Sequence, residues 1–412
     1  MNKKPIVLGV FLVFLIIIIL PGITSFKISS NKTIYVDDDG TADYSKIQDA
    51  IDAASDGDIV FVYNGVYFEN IVVDKSISLI GEDVNNTMII GDGVNDIVTI
   101  NSNKIIISSF NIQNTILENS KEPIVCVRLN SDFSKIYDNF FYNSSYGVYL
   151  NYSSNNEIYK NIIYKHGGIC GIFLLENCIN NTISGNNVYD FDYWGLYILN
   201  SSNYNRIYDN YFFDCYQTIT IDNSRNNIIH DNSINSSGHG VGIWLTTAYN
   251  NEISSNFIEN NSYGISLDDA SKYNILKNNF IQDNRDGINI FQKSDDNIIM
   301  NNMIFNNRND GIYIAESKYN HVQLNDIINN GQGVNLYRYA NRNTIISNNF
   351  ENNKVNGLFH SSFFTMWDMN YWGEPRDTPY IIWGKIGPFN KIGIPWVNVD
   401  WHPASKPYDI VN

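Results

Sequence analysis

The side chains in this chain that could do chemistry are mostly carboxylates. Asp268 and Asp269 are adjacent in Gly264-Ile-Ser-Leu-Asp-Asp-Ala-Ser-Lys-Tyr-Asn274, and Asp222 closes a similar phrase, Thr218-Ile-Thr-Ile-Asp222. Two carboxyls held about 6.5–9.5 Å apart can cleave a glycosidic bond with inversion, one as acid and one activating water. Asp286 and Asp310 precede Gly287 and Gly311. Such a pair can share a hard cation such as Ca²⁺, although Asp-Gly is also an ordinary turn former. His166, His230, His239, His321, His360 and His402 are scattered, with no H-x-H and no Met/His cluster suited to copper. Cys126, Cys170, Cys178 and Cys215 lack the C-x-x-C spacing of zinc or redox motifs.

These residues sit in a repeat. The phrase G-[IVL]-x-[IL] recurs from Gly147, Gly171, Gly195, Gly242, Gly264, Gly287, Gly311, Gly333 and, loosely, Gly357, with Thr218 in the missing place, at steps of 22 to 24 residues. A second phrase, N-x-[ILV]-x-x-N-x-[VIF], recurs from Asn156, Asn181, Asn205, Asn227, Asn251, Asn274, Asn297, Asn320 and Asn343, with a weaker copy from Ser134. A fixed period of this length means a solenoid. Within each repeat apolar residues alternate over runs too short for helices, as in Ile265-Ser-Leu267, which reads as strands with one buried face. Gly and Asn punctuate them at expected corners, where positive φ is often required. The pattern predicts an all-β, right-handed, single-stranded parallel β-helix of about 23 residues per coil. Asn161, Asn186, Asn210, Asn232, Asn256, Asn279, Asn302, Asn325 and Asn348 then stack as an amide ladder.

Placed in register, the chemistry changes meaning. Asp222 and Asp268 occupy one point of the repeat two coils apart, roughly 9.6 Å from twice the strand spacing. Each is also a normal residue for a turn leaving a strand, as is Asp269. Cys126, Cys170 and Cys215 fall near equivalent strand starts about two coils apart, too far for a disulfide. The outward residue inside G-[IVL]-x-[IL] runs Tyr149, Phe173, Tyr197, Thr220, Trp244, Ser266, Asn289, Tyr313, Asn335. The five aromatics, Tyr149, Phe173, Tyr197, Trp244 and Tyr313, form either a ligand platform for sugar rings or a ladder that stabilises the sheet.

Composition bounds the rest. The net charge of −16 with pI ≈ 4.7, and the absence of any Lys/Arg run, argue against nucleic acid as partner. Lys3 and Lys4 precede the apolar run Ile6 to Leu20, broken by Pro21-Gly22. Residues 1–25 therefore read as a signal peptide or N-terminal membrane anchor, followed by a linker over 26–33, and place the remainder outside the cytoplasm. Membrane contact is expected through that segment alone. Eight N-x-S/T sequons, from Asn31 to Asn260, fit an exported glycoprotein and also follow from the abundance of Asn and Ser. Residues 34–360 form the β-helix, with an N-terminal cap over 34–100. There Ile47, Ala50, Ile51 and Ala54 define one face of a short capping helix. Residues 361–412 hold six of the nine prolines and five of the seven tryptophans and read as an irregular C-terminal cap.

The opening of this repeat region carries a family resemblance. Tyr35-Val36, the Ile47–Ala54 helix, and Gly65, Tyr67, Glu69, Ile71, Val73 and Lys75 closing at Gly81 are similar to the start of right-handed β-helix proteins of the pectin-lyase-like superfamily. The repeats resemble the NosD-like branch, grouped with carbohydrate-binding proteins and sugar hydrolases and named after a periplasmic copper-processing accessory. The ending Asn370-Tyr-Trp-Gly-Glu-Pro-Arg-Asp-Thr-Pro-Tyr-Ile-Ile382 resembles the terminal segment of archaeal surface proteins of this kind. The resemblance implies the fold. For activity its motifs fail. Asp190-Phe-Asp-Tyr-Trp-Gly195 and Gln282-Asp283 have the wrong spacing and order for a pectin methylesterase. Gly238-His239-Gly240, Asp268-Asp269 and Arg206-Ile207 have the wrong order for a polygalacturonase. The expected role is an exported or cell-surface protein that binds a polysaccharide or surface glycan without catalysis. The rival expectations are a polysaccharide lyase or glycoside hydrolase, and a copper-processing accessory. No cofactor is required, Ca²⁺ or copper being the candidates.

Overall fold

The computed structural model describes residues 31–115, 123–387 and 393–410. The expected apolar segment, residues 1–25, and most of the linker lie outside the described residues. Among the described residues no helix is long and apolar enough to cross a membrane.

Each coil is built from three short strands, well seen in Ile275–Lys277, Phe280–Gln282 and Asp286–Ile290. Every strand lies parallel to its counterpart one coil away, for example Leu276 opposite Ile299 and Ile281 opposite Ile304. The first strands of successive coils make a parallel sheet of 15, from Thr33–Val36 to Met366–Asp368. The second and third strands make the other two faces. The result is a parallel β-solenoid of the right-handed type, with about 15 turns of about 23 residues. Inward residues stack in columns of like shape: Ile253, Leu276, Ile299 and Val322 on the first face, and Ile258, Ile281, Ile304 and Ile327 on the second, all fully buried. β-branched side chains suit this surface because each packs on its own kind above and below.

Three ladders hold the corners. Within one coil, Tyr273 (φ 59°), Asn278 (φ 55°) and Asp283 (φ 53°) take the left-handed conformation. Each is followed by a buried asparagine: Asn274, Asn279 and Asn284. Asn279 shows the wiring. Its backbone N–H and Nδ2 both donate to Asn302 Oδ1, at 2.9 and 3.0 Å. Its Nδ2 also donates to the carbonyl of Ile253 at 2.9 Å. Its own Oδ1 accepts the backbone N–H and Nδ2 of Asn256, both at 3.0 Å. The expected ladder is present and longer than Asn161–Asn348, running from Asn139 to Asn370. The first asparagine of the phrase makes a second ladder, in which Ser134 takes the rung before Asn156. A third, through Asn261, Asn284, Asn307, Asn330 and Asn353, was not expected.

The repeat glycines differ from expectation. They are not positive-φ corners; the residue before each asparagine takes that role. Gly264 lies inside a strand, where a Cβ would sit 2.6 Å from the Gly287 carbonyl oxygen and 2.8 Å from an Ile281 methyl. Glycine is needed there for close approach between coils.

The third ladder is missing where strands run through the corner unbroken, in Ile162–Leu174, Asn187–Leu199 and Tyr211–Asp222. Register shifts between Tyr164 and Cys170, and between Phe191 and Trp194, absorb the extra residues. Phe191 and Cys215 fill that corner with apolar bulk.

Near the first coil, the helix Ile47–Ala53 buries Ile47, Ala50 and Ile51 as its spacing predicts. The Glu69 carboxylate accepts the N–H groups of Ile47 and Gln48 at 2.8 and 3.0 Å, and Lys75 Nζ donates to the carbonyl of Ile51 at 3.0 Å. Two residues of the family-like motif thus grip opposite ends of the helix. Near the last coil, Tyr380–Ile386 pairs in parallel with Val355–His360 and antiparallel with Ile394–Asp400.

Asn279→Ala removes the acceptor for the Asn256 N–H and a donor to the Ile253 carbonyl. A loss of about 2–5 kcal/mol is expected for two orphaned buried groups. A lower urea midpoint, together with faster amide exchange at Asn256 than in the native protein, checks it.

Candidate functional site

The third face carries the candidate residues. Its outward central register is confirmed strand by strand: Tyr149, Phe173, Tyr197, Thr220, Trp244, Ser266, Asn289, Tyr313 and Asn335 are successive partners. The expectation that they face open solvent needs correction. The aromatics are half-buried or buried, and Thr220, Ser266 and Asn289 are at most 4% exposed. Larger neighbours on the same face overlie the smaller side chains.

The rings form two runs. In the first, Tyr149 meets Phe173 edge-on at 5.1 Å, and Phe173 stacks on Tyr197 at 5.2 Å. Tyr146 and Trp194, three residues earlier in their strands, join it by stacking on Phe173 and Tyr197. The second run links Phe291, Tyr313 and Tyr337. The last three, with Asp269, Glu316 and Arg338, line a cleft of about 670 Å³. Tyr146, Trp194, Phe291 and Tyr337 were missed from sequence. Reading the flanking columns of the repeat, rather than the central one alone, would have found them.

The carboxylates lie along both edges of this face. Asp222, Thr246 and Asp268 are directly opposed in successive coils. Tyr197 Oη donates to Asp222 Oδ2 at 3.0 Å. Burial raises the carboxyls of both Asp222 and Asp268, and the Asp269 charge adds to it. Asp269 is exposed, with φ 45°, as a turn residue. On the opposite edge Asp286 and Asp310 are strand residues, not the turns expected of Asp-Gly. Asp286 is 8% exposed and pairs with Arg285, which also lies 4.4 Å over the Tyr263 ring. Asp310 is pushed up to about 7, first by burial and then by the Asp286 charge, against a hydrogen bond from Asn335. The two are linked by the Asp310 N–H, which donates to Asp286 Oδ1 at 3.2 Å.

Several polar atoms of this face are buried without a partner: Thr220 Oγ1, Trp194 Nε1, and both Oδ1 and Nδ2 of Asn289. Buried groups of this kind are uncommon, and each calls for an explanation.

The metal expectations find little to rest on. Among the described residues, no three His, Cys, Asp or Glu side chains converge as a metal set. The four thiols are free and buried in the core; burial raises those of Cys126 and Cys215 to about 12. They are fully buried and do not converge with other donors among the described residues, so they offer no assembled copper site. His230 stacks on Tyr208, and His360 on Tyr337. The enzyme-like echoes are also dispersed. Gln282 donates to Glu259 on the second face, Asp283 is a corner residue, and His239 lies in a turn.

This parallel β-solenoid has structural neighbours in the pectin-lyase-like parallel β-helix superfamily. The chain matches the family described as "Periplasmic copper-binding protein (NosD)" over residues 16–242 and 213–390, and belongs to that family. A curated relative, "Probable pectinesterase/pectinesterase inhibitor 6" of Arabidopsis thaliana, is 31% identical over 174 residues. That match covers 35% of this chain and about 30% of the length of the relative. Among solved structures, a mannuronic acid specific polysaccharide family 6 lyase from human gut microbiota superposes with a TM-score of 0.54 at 12% identity, covering 87% of this chain and 92% of the other. The A-module of a mannuronan C-5 epimerase from Azotobacter vinelandii gives 0.52 at 16% identity, covering 78% and 94%. At these identities the likeness is one of fold.

The raised Asp310 carboxyl has a stability consequence. Its folded value, about 7, lies above the ordinary 3.8, so the folded state keeps a proton that the unfolded state releases. Stability therefore falls as pH rises from about 4 to about 7 and is flat beyond. Asp310→Asn is expected to stabilise the protein by on the order of 1–3 kcal/mol at pH 8 and hardly at all at pH 4. Melting curves of both proteins at the two pH values check it.

Proposed function

We propose that this protein binds a polysaccharide along the outward side of the third face, as an exported or cell-surface protein whose role is binding without bond cleavage. One observation carries the reading. The same face combines rings set at coil spacing with buried hydrogen-bonding atoms that lack partners. Sugars present an apolar C–H face to rings and hydroxyls to polar groups, so both are used together. The structural neighbours, a mannuronic acid specific polysaccharide lyase and a mannuronan C-5 epimerase, support the ligand class. The family description, which includes the word periplasmic, supports export.

We also infer that the Ile47–Ala53 helix and the antiparallel pair Tyr380–Ile386 and Ile394–Asp400 act as the end caps of a solenoid body over residues 34–360. Open solenoid ends expose core and unpaired strand edges, and the burial of Ile47, Ala50 and Ile51 on the helix and of Ile382 in the strand pair supports that role.

A lyase or hydrolase is the second reading. It is favoured by Asp310, a carboxyl raised to about 7 beside Asp286 on one edge of the third face. A copper-processing role has only the family description behind it, since no donor set is assembled among the described residues.

Retention on a panel of immobilised polysaccharides tests the first reading. Trp244→Ala with an unchanged melting curve should lower retention about tenfold or more, as expected for losing a stacking ring. Unchanged retention removes the platform. Incubation with the same panel, read for new reducing ends or unsaturated products, tests the second. Turnover that is lost in Asp310→Asn would replace binding by catalysis.

A further inference from the structure

We propose that the third face recognises a glycan carrying no acidic groups, and that its centre is the array Thr220, Asp222, Trp244, Thr246, Ser266 and Asp268. This rests on the polysaccharide reading above and names its ligand class.

The array is two rows in strict register. Thr220, Trp244 and Ser266 are successive partners in the central row, and Asp222, Thr246 and Asp268 in the row beside it. Trp244 differs from the other four rings of the stripe. Tyr149, Phe173, Tyr197 and Tyr313 each pack on neighbouring rings, whereas among the described residues no ring stacks on Trp244. Trp244 is half-buried, and its exposed part is what the C–H side of a sugar would meet. Beside it Thr220 is 1% exposed, alternates with the core residues Ile219 and Ile221 so that it points outward, and has no partner for Oγ1.

Among the described residues Asp222 and Asp268 form no ion pair; Asp222 takes the Tyr197 hydroxyl, and Asp268 the Asp269 N–H. The adjoining Asp269 lines the cleft together with Lys293 and Arg338. The third-face portions of six successive strands, residues 146–150, 170–174, 194–199, 217–222, 241–246 and 263–268, contain no lysine or arginine. The flanking arginines are already engaged. Arg128 is paired with Asp96 and lies over Tyr149, and Arg285 is paired with Asp286 and lies over Tyr263. A uronate would bring its carboxylate against Asp222 and Asp268, which have no ion-pair partner among the described residues, in a setting where water screens poorly. Sugar hydroxyls, or the ammonium of an amino sugar, donate to these same acceptors. The class thus parts from the mannuronate polymers named for the structural neighbours. A bridging divalent cation is the one route by which a polyuronate would be held, so the test excludes it.

Calorimetric titration of the purified protein at neutral pH in EDTA, with oligosaccharides of a neutral glucan, of chitosan and of mannuronan, decides the matter. The expected result is binding of the neutral or the amino-sugar ligand, weakened about tenfold or more by Trp244→Ala and by Asp222→Asn with Asp268→Asn, and at least about tenfold weaker binding of mannuronan. The conservative Asn pair keeps the test open should Trp244→Ala fail to fold. Mannuronan binding as tight as the others overturns the inference while leaving polysaccharide binding in place. Non-acidic glycans bound with unchanged affinity by both variants overturn the centre assigned here. Absence of binding to all three probes overturns both readings.

Discussion

The whole molecule depends on satisfying backbone groups at its corners. A coil that turns three times leaves the strand ladder three times, and each turn buries N–H and C=O groups that water cannot reach. Asparagine meets this need with one side chain. Its oxygen accepts from the coil on one side, and its amide donates to the coil on the other and to a nearby carbonyl. Because donor and acceptor of every rung come from different coils, the bonds that finish a corner also join the coils. The left-handed residue before each rung sets the bend that points the amide inward. In three coils that lack the third ladder, the chain avoids the problem by continuing as strand through the corner.

That arrangement decides what the outer surface can be. With corners fixed and strands in register, every outward position becomes a column with one side chain per coil. Rings in a column meet rings, as from Tyr149 to Tyr197, and carboxylates meet carboxylates, as Asp286 meets Asp310. The raised Asp310 carboxyl is a by-product of this geometry: two acids in one column, in a face mostly covered by neighbours, cannot both ionise freely. A site on such a surface is an array that repeats at the strand spacing, which suits a ligand that is itself a repeat.

Much of this was legible in the sequence because the repeat is a period, and a period survives without knowing the turns. The Gly and Asn phrases placed the core columns, one full ladder and the central stripe. The third ladder lies outside both repeated phrases, and among the described residues its asparagine rungs begin only at Asn261. Glycine was read as a turn former because φ is invisible in a sequence, while the constraint at Gly264 is the neighbouring coil's carbonyl. For the same reason Asp286 was read as half of a turn, when it lies in a strand. Burial of outward residues was out of reach. Whether Thr220 or Asn289 sees water depends on the reach of larger side chains one coil away, a property of pairs and not of positions.

The last rung shows how the stack tolerates change in length. Every asparagine donates toward the coil that follows it, so the ladder is polar and ends in unspent donors. At Asn370 they meet Asp400, fully buried, whose Oδ2 accepts the Asn370 N–H and Nδ2 and the Trp372 Nε1 at 3.0, 3.3 and 3.0 Å. One carboxylate therefore closes a column irrespective of how many rungs precede it. Coils can be gained or lost by duplication in units of one repeat, and the terminator need not be redesigned. The reach of the protein along an extended partner is then a quantity that selection can adjust by counting.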